Sequence, residues 1–334
     1  MQKKSLAFLM MSIFITGITM TGCTMTGEKN DYPNKPINVI VPFSAGGGTD
    51  LQARALEKLA PKYLNQNFII LNKPGGSCTI GLNELVTASP DGYTIGLSPL
   101  NLILQPLYGA TKYHYPTALE PIVQISTTPS ILVVNANHSW ETLDDLITYC
   151  NQHPREIKFG HSGIGDSSHI IGEIFAKKAN IEIEQVPFRG ASESISALLG
   201  DHVQFIIASP GALTEQIKSG KLKALAISGE KHLSNSALSK IPTFQELGFD
   251  IVLENWYGIA APKEIDAKTK NKLVESLKNM ISDPDFKTNL DQLGMEVSYL
   301  NSEETKKKWI SDTEKLTNIL KETNIIEQIQ AQKQ

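Results

Sequence analysis

Three consecutive glycines, Gly46 to Gly48, separate a short apolar run from a stretch with helical periodicity in VPFSAGGGTDLQARAL, Val41 to Leu56. Unpaired backbone amides at a helix start hold an anion, and glycine lets a ligand approach the main chain closely. The same pattern also serves as a bare strand-to-helix turn, so this loop alone leaves both readings open. Nucleotide chemistry fails on spacing. No lysine follows the glycines as a P-loop requires, and a GxGxxG fingerprint would need glycine where Leu51 and Ser168 stand. GHSGIG, Gly160 to Gly165, misses the nucleophile elbow GxSxG because Ile164 occupies the last glycine position. Ser162 with His169 leaves an exported serine hydrolase as a remote alternative, against loop serines and a helix-capping turn. No cysteine or histidine spacing fits a zinc site. No metal, no cofactor and no catalytic residue are expected.

The elements that would position such loops alternate along the chain. INVIVPF (Ile37 to Phe43), NFIILN (Asn67 to Asn72) and YTIGLS (Tyr93 to Ser98) read as strands, and Leu51, Ala55, Leu56, Leu59 and Tyr63 recur at helical spacing between the first two. The pattern restarts at SILVVNANH, Ser130 to His138, and Thr142 with Asp145 forms a capping-box pattern. Further strands are predicted at Ile157 to Ser162, Ile181 to Phe188, Val203 to Ser209 and Leu222 to Ser228, and IVLENWYGIAAP, Ile251 to Pro262, comes after them. A helical tail follows, with Leu273, Val274, Leu277 and Ile281, then Trp309, Ile310, Leu316 and Leu320, on apolar faces. Alternation of this kind predicts mostly parallel sheets with helices on both faces. The economical path leaves a first domain near Pro129 and returns near Glu254, which makes a hinge with a cleft. Glycine- and hydroxyl-rich loops at strand ends, NKPGGSCTIG, GHSGIGDSSHI and VPFRGASESISALLG, join the first loop at that cleft, the edge where open α/β sheets bind ligands.

Composition sets the bounds. The 334 residues are 41% hydrophobic and 20% charged, with 31 basic and 35 acidic side chains and a net charge of -4. This is no footprint for nucleic acid. The segment MQKKSLAFLMMSIFITGITMTGC places Lys3 and Lys4 before an apolar run, Leu6 to Met20, shorter than the ~20 residues of a membrane span. It reads as a secretory signal over residues 1–23 that ends in a lipobox-like cysteine, Cys23, with 24–31 as a tether. The alternative is an ordinary cleavage site with a chance cysteine. Cys78 and Cys150 fall in different predicted domains, so no disulfide is expected.

The motifs together carry a family resemblance. YPNKPINVIVPFSAGGGTDLQAR (Tyr32 to Arg54), PGGSCTIG, SGIGDSSH, VPFRGASESISALLGDHVQFIIAS and PTFQELGF (Pro242 to Phe249) closely resemble, in order and across essentially the whole exported chain, the substrate-binding receptors of tripartite tricarboxylate transporters, the Bug family. The resemblance implies an α/β, two-domain periplasmic-binding-protein-like fold with hinge and interdomain cleft. Its domains here would be 32–129 plus 255–334 and 130–254. It implies an extracytoplasmic receptor that captures a small carboxylate and presents it to membrane permease subunits; a monomer that takes a small carboxylate or amino-acid ligand is expected. A sensor feeding a signalling partner is the alternative from another class.

Carried over by position, the resemblance assigns one wall to Phe43, Ser44, Ala45, Gly46, Gly47, Thr49 and Asp50, where backbone amides and ordered water hold one carboxylate. The opposing wall would be Ser162, Gly163, Asp166, Ser167 and Ser168, with Phe188, Arg189, Gly190, Ala191 and Ser209. Two departures stand out. Ser77 and Cys78 replace glycines of the family's PGAGGxxG, adding a hydroxyl and a thiol at the site, and Asp166 stands where hydroxyl residues are usual. A carboxylate at Asp166 would repel a second negative group on the ligand and favour an ammonium or hydroxyl, or it would cap a helix starting near Ser167. Phe43 and Phe188 read equally as core residues, Arg189 as a surface ion pair, and Trp256 and Tyr257 as hinge packing.

Overall fold

The computed structural model describes residues 32–333 apart from 110, 236 and 323. The signal, Cys23 and the tether lie outside the described residues. From β1 (Ile37–Val41) the chain runs through α1 (Gly48–Leu64), β2 (Phe68–Asn72), α2 (Thr79–Thr87), β3 (Thr94–Pro99), α3 (Asn101–Leu107), α4 (Tyr115–Ala118) and the long β4 (Leu119–Pro129). A second lobe follows: β5 (Ile131–Asn135), α5 (Leu143–Gln152), β6 (Lys158–His161), α6 (Ser167–Ala179), β7 (Glu184–Pro187), α7 (Ala191–Leu199), β8 (Phe205–Ala208), α8 (Pro210–Lys218) and β9 (Leu222–Ile227). The chain returns on β10 (Glu254–Pro262) and ends with α9 (Ala267–Ser282), α10 (Pro284–Gln292), β11 (Glu296–Leu300), α11 (Ser302–Glu322) and α12 (Ile325–Lys333).

The strands form one sheet per lobe, β11-β4-β10-β3-β1-β2 and β7-β6-β8-β5-β9. Only the β1, β2, β3 set and the β6, β7, β8 set are parallel; β4, β10 and β11 are antiparallel in the first sheet, and β5 is antiparallel to β8 and β9 in the second. The expected parallel sheets are therefore mixed. A chain that leaves on one strand and returns on its neighbour must run back antiparallel, and Glu254 pairs opposite Pro129 at the crossing. β4 and β11 escape sequence periodicity. β4 is buried on both faces and carries Gln124 and Ser126 inward; Ser126 donates to Gln52 Oε1 at 2.6 Å and Gln124 Nε2 to the Ser298 carbonyl at 2.9 Å, so its polar residues are core groups with partners.

Local chemistry sets the helices. Thr142 and Asp145 form the reciprocal capping box at α5. Leu273, Leu277 and Ile281 are buried under α9, as are Trp309, Leu316 and Leu320 under α11. Ile310, placed on that apolar face by its spacing, is instead 55% exposed, because it follows Trp309 by one position and points away from the seam. Trp256 packs 6.2 Å from Trp309 and donates from Nε1 to Asp312 at 2.9 Å, which anchors the return strand to α11. α12 reaches toward the second lobe, where Gln328, Ala331 and Gln332 line a groove with Ala176 and Ile181. Cys78 and Cys150 are both buried and form no disulfide; burial pushes the Cys150 thiol up to about 11.

Candidate functional site

The loops that follow β1, β3, β6, β7 and β8 all leave from the C-terminal ends of their strands and meet between the lobes. Each passes within a few residues into a helix: α1, α3, α6, α7 and α8. Gly47, Gly190 and Ser209 are the N-caps of α1, α7 and α8, and none of these helices has a side-chain cap. The first-turn amides that every helix leaves without intrahelical partners are thus not taken up by cap side chains. At α6 the cap is Asp166, whose Oδ1 accepts from the Ser168 amide at 2.9 Å and from the Ser168 hydroxyl.

A cavity of about 50 Å3 lies between these termini, room for roughly four waters or a ligand of comparable size. Gly47, Gly48 and Thr49 from α1, Asp166, Ser167 and Ser168 from α6, Ala191 from α7 and Ser209 from α8 wall it. Four positive helix ends therefore face one small space. The two crossings supply its floor. Ser130 and Asn255 line it and are joined by a 2.9 Å hydrogen bond from Asn255 Nδ2 to Ser130 Oγ, while Tyr257 exchanges a hydrogen bond with Ser209. Burial, and then the Asp166 charge, push the Tyr257 phenol far above its ordinary range, so it stays protonated. Among the described residues, no lysine, arginine or histidine lines the cavity.

The lobes touch around this space. Ser77 Oγ donates to the Ile164 carbonyl at 2.8 Å, Gln105 Nε2 to the Gly165 carbonyl at 2.8 Å, and Asn101 Nδ2 to Asp166 Oδ2 at 2.9 Å. Beyond the cavity, Ser192 Oγ donates to Ser44 Oγ at 3.0 Å, and Thr214 Oγ1 to the Leu293 carbonyl at 3.1 Å. Hydrogen bonds thus join the two lobes directly on several sides of the cavity.

The residues singled out in the sequence fall into three groups, with Ala45 and Asp50 apart from them. Phe43, Gly47, Thr49, Ser162, Asp166, Ser167, Ser168, Ala191 and Ser209 line the cavity. Ser77, Gly163, Phe188 and Arg189 line a separate outer groove of about 550 Å3 at the mouth of the cleft. Arg189 points outward, its side chain 71% exposed and paired with Glu193 at 3.0 Å. Ser44 and Gly190 form the lobe contact, where a Cβ on Gly190 would overlap the Ser44 hydroxyl, and Gly46 approaches Ser192 there. Ala45 lies in the same turn between β1 and α1 and lines neither space. Asp50 turns inward: Arg54 at 2.7 Å, the Gly46 amide at 2.9 Å and Asn72 at 2.9 Å occupy its carboxylate and hold it below the usual range against the opposing effect of burial.

Gly48, Pro99, Asn101, Ser130, Ile207, Ala208, Asn255 and Tyr257 also line the cavity. Of these, Asn101 had a legible signal, a polar residue three positions beyond the predicted strand that ends at Ser98. Ser130 and Asn255 become visible only when the crossing strands are paired. The hydrolase alternative finds no support in geometry. His169 Nδ1 accepts from the Gly165 amide at 3.1 Å and Nε2 faces Glu173 at 3.3 Å, so neither ring nitrogen is hydrogen-bonded to a serine hydroxyl. His161 stacks on it at 4.3 Å, and burial together with His169 lowers the His161 pKa to about 3, keeping that ring neutral.

Two α/β lobes closed on a cavity walled by helix N-termini define a solute-binding protein of the periplasmic-binding-protein type. Residues 52–329 match the family model described as tripartite tricarboxylate transporter family receptor, and the chain belongs to that family. Protein BugT of Bordetella pertussis is 33% identical over 242 residues, covering 71% of this chain and 73% of that protein. The periplasmic binding protein BugD is 30% identical in sequence with a TM-score of 0.84, over 88% of this chain and 99% of the other. An R. palustris protein with adipate shares the fold at 24% identity and a TM-score of 0.84, over 88% and 99% of the two chains.

Proposed function

We propose that this chain is an extracytoplasmic receptor that traps a small carboxylate between its lobes and hands it to the permease of a tripartite tricarboxylate transporter, without chemistry of its own. The observation that carries the reading is the convergence of four helix N-termini on one small closed cavity lined by no basic side chain. Amides at helix starts with serine and threonine hydroxyls stabilise a carboxylate as charge-assisted hydrogen bonds do. The adipate of the R. palustris relative supports a carboxylate as the ligand class. The moving parts would be 32–129 plus 255–334 and 130–254, hinged where Pro129 lies opposite Glu254.

A thermal-shift screen over mono-, di- and tricarboxylates and amino acids tests this. A ligand at 100 times its dissociation constant adds ~2.7 kcal/mol to stability, and the same ligand should reduce the radius of gyration in scattering as the open population closes. A flat screen overturns the receptor reading, and binding without a change in radius overturns the moving hinge.

Anchorage is a separate part of the proposal. No helix among the described residues is long and apolar enough to cross a membrane. We place the anchor on a lipid carried by Cys23, the chain acting as a monomer. Cys23→Ser should then move the protein from the membrane to the soluble fraction with ligand affinity unchanged. Retention of the variant on salt-washed membranes argues against a lipid at that cysteine.

A further inference from the structure

We propose that Asp166 makes the cavity selective for a small α-amino acid, through the ligand's ammonium group, over carboxylates that lack one. The inference rests on the receptor reading and adds the class of ligand. Asp166 is 5% exposed, lines the cavity and forms no ion pair with any lysine, arginine or histidine among the described residues. Every partner it has is neutral: the Ser168 amide and hydroxyl on Oδ1, and Asn101 Nδ2 on Oδ2. The other carboxylate on this loop system, Asp50, lies outside the cavity and already has its cation in Arg54. The α6 N-terminus and three hydrogen bonds stabilise this carboxylate, but among the described residues no cation neutralises it, which leaves an arrangement that a ligand cation can complete.

An α-amino acid completes it. Its carboxylate takes the uncapped amides at α1 and α8, its ammonium takes the remaining lone pairs of Asp166, and the zwitterion enters with no net charge. A dicarboxylate would bring a second negative group to a wall that already carries one. The cavity's small volume further favours a short side chain. Asn101 ties the selection to closure, since its bond to Asp166 Oδ2 crosses from α3 in the first lobe to α6 in the second and exists only when the lobes meet. Asp166 therefore holds the α6 cap and faces the ligand at once, the two roles the sequence left as alternatives.

The test is calorimetry at neutral pH on the whole exported chain, with alanine, serine and aspartate set against propionate, lactate and succinate. The native protein should bind at least one amino acid more tightly than its analogue without the ammonium. Asp166→Asn keeps the volume and an oxygen to cap Ser168 but removes the charge. It should weaken amino-acid binding roughly ten- to hundredfold more than it weakens binding of the analogues, which share any loss from the Asn101 contact. Equal losses for both sets would reduce Asp166 to a helix cap, and so would analogues that bind the native protein as tightly as the amino acids. Should Asp166→Asn melt early, Asp166→Ser, which caps with a hydroxyl, gives the same comparison. If neither set binds the native protein, the receptor reading itself falls, whereas tight analogues and weak amino acids overturn only the selectivity.

Discussion

Gly48→Val should weaken ligand binding about tenfold to hundredfold while the fold persists. Gly48 lies in the first turn of α1 and in the wall of the cavity. A Cβ there would overlap the hydroxyl of Ser209, the residue at the N-cap position of α8 in the second lobe, and would stand 3.0 Å from Met295 Cε. Both lobes can keep their own structure if they stay apart, so the side chain acts as a wedge against closure. Overpacking of this kind costs about 1–3 kcal/mol, and every 1.4 kcal/mol is tenfold in affinity. Gly47→Ala is the matched control. Its Cβ would meet the Ser44 carbonyl at 3.5 Å and Ala191 Cβ at 4.0 Å, ordinary contacts, and its affinity should stay near that of the native protein. Scattering should show the valine variant open with ligand present. Native affinity in Gly48→Val would mean that the ligand is not held in the closed form.

The second large effect concerns stability. Gly172→Ala should destabilise the protein by about 1–3 kcal/mol, although alanine is the better helix former by up to ~1 kcal/mol. Gly172 is the point where α6 lies against β6, and a Cβ on it would overlap the ring of Phe159 at Cε1 and Cζ. The ring has nowhere to go, because Phe205 stacks on it at 4.7 Å and His161 lies 5.5 Å away. Phe159→Leu alone leaves a cavity, yet combined with Gly172→Ala it should recover part of the loss, a positive coupling in a double-mutant cycle. Denaturant midpoints of the four proteins measure this. Additive losses would show that the two residues do not share the space. Because α6 begins with Ser167 and Ser168 in the cavity wall, Gly172→Ala should also weaken ligand binding.

By itself the sequence determined the elements and the edge at which they could bind. Alternating β-branched runs and helical spacings placed β1 to β3 and β5 to β9. The Thr142 and Asp145 pattern started α5, and the Gly, Ser and Thr clusters marked where strands end and helices begin. These features depend on forces that act within a few residues, namely backbone sterics, capping and amphipathic periodicity, and so they can be read one segment at a time. Two candidate site residues that lie outside the cavity left a local trace. Asp50 with Arg54 and Arg189 with Glu193 are i,i+4 pairs at helix starts, and such pairing turned Asp50 inward and Arg189 outward.

Tertiary structure alone decided which loops share the cavity and how large it is. The floor comes from Ser130, Asn255 and Tyr257, which meet because β4 and β10 pair across more than a hundred residues of intervening chain. Long-range pairing also explains why β4 went unread: flanked on both sides and covered on both faces, its Ser126 and Gln124 find partners in Gln52 of α1 and Ser298 of β11 inside the core, and the strand leaves no alternation to see. The double role of Asp166 belongs to the same level. A cap is visible in one segment, but the Asn101 bond from the opposite lobe and the lack of a cation partner follow from where two lobes come to rest against each other. Electrostatic and packing terms between surfaces distant in sequence set that position, and no local pattern encodes them.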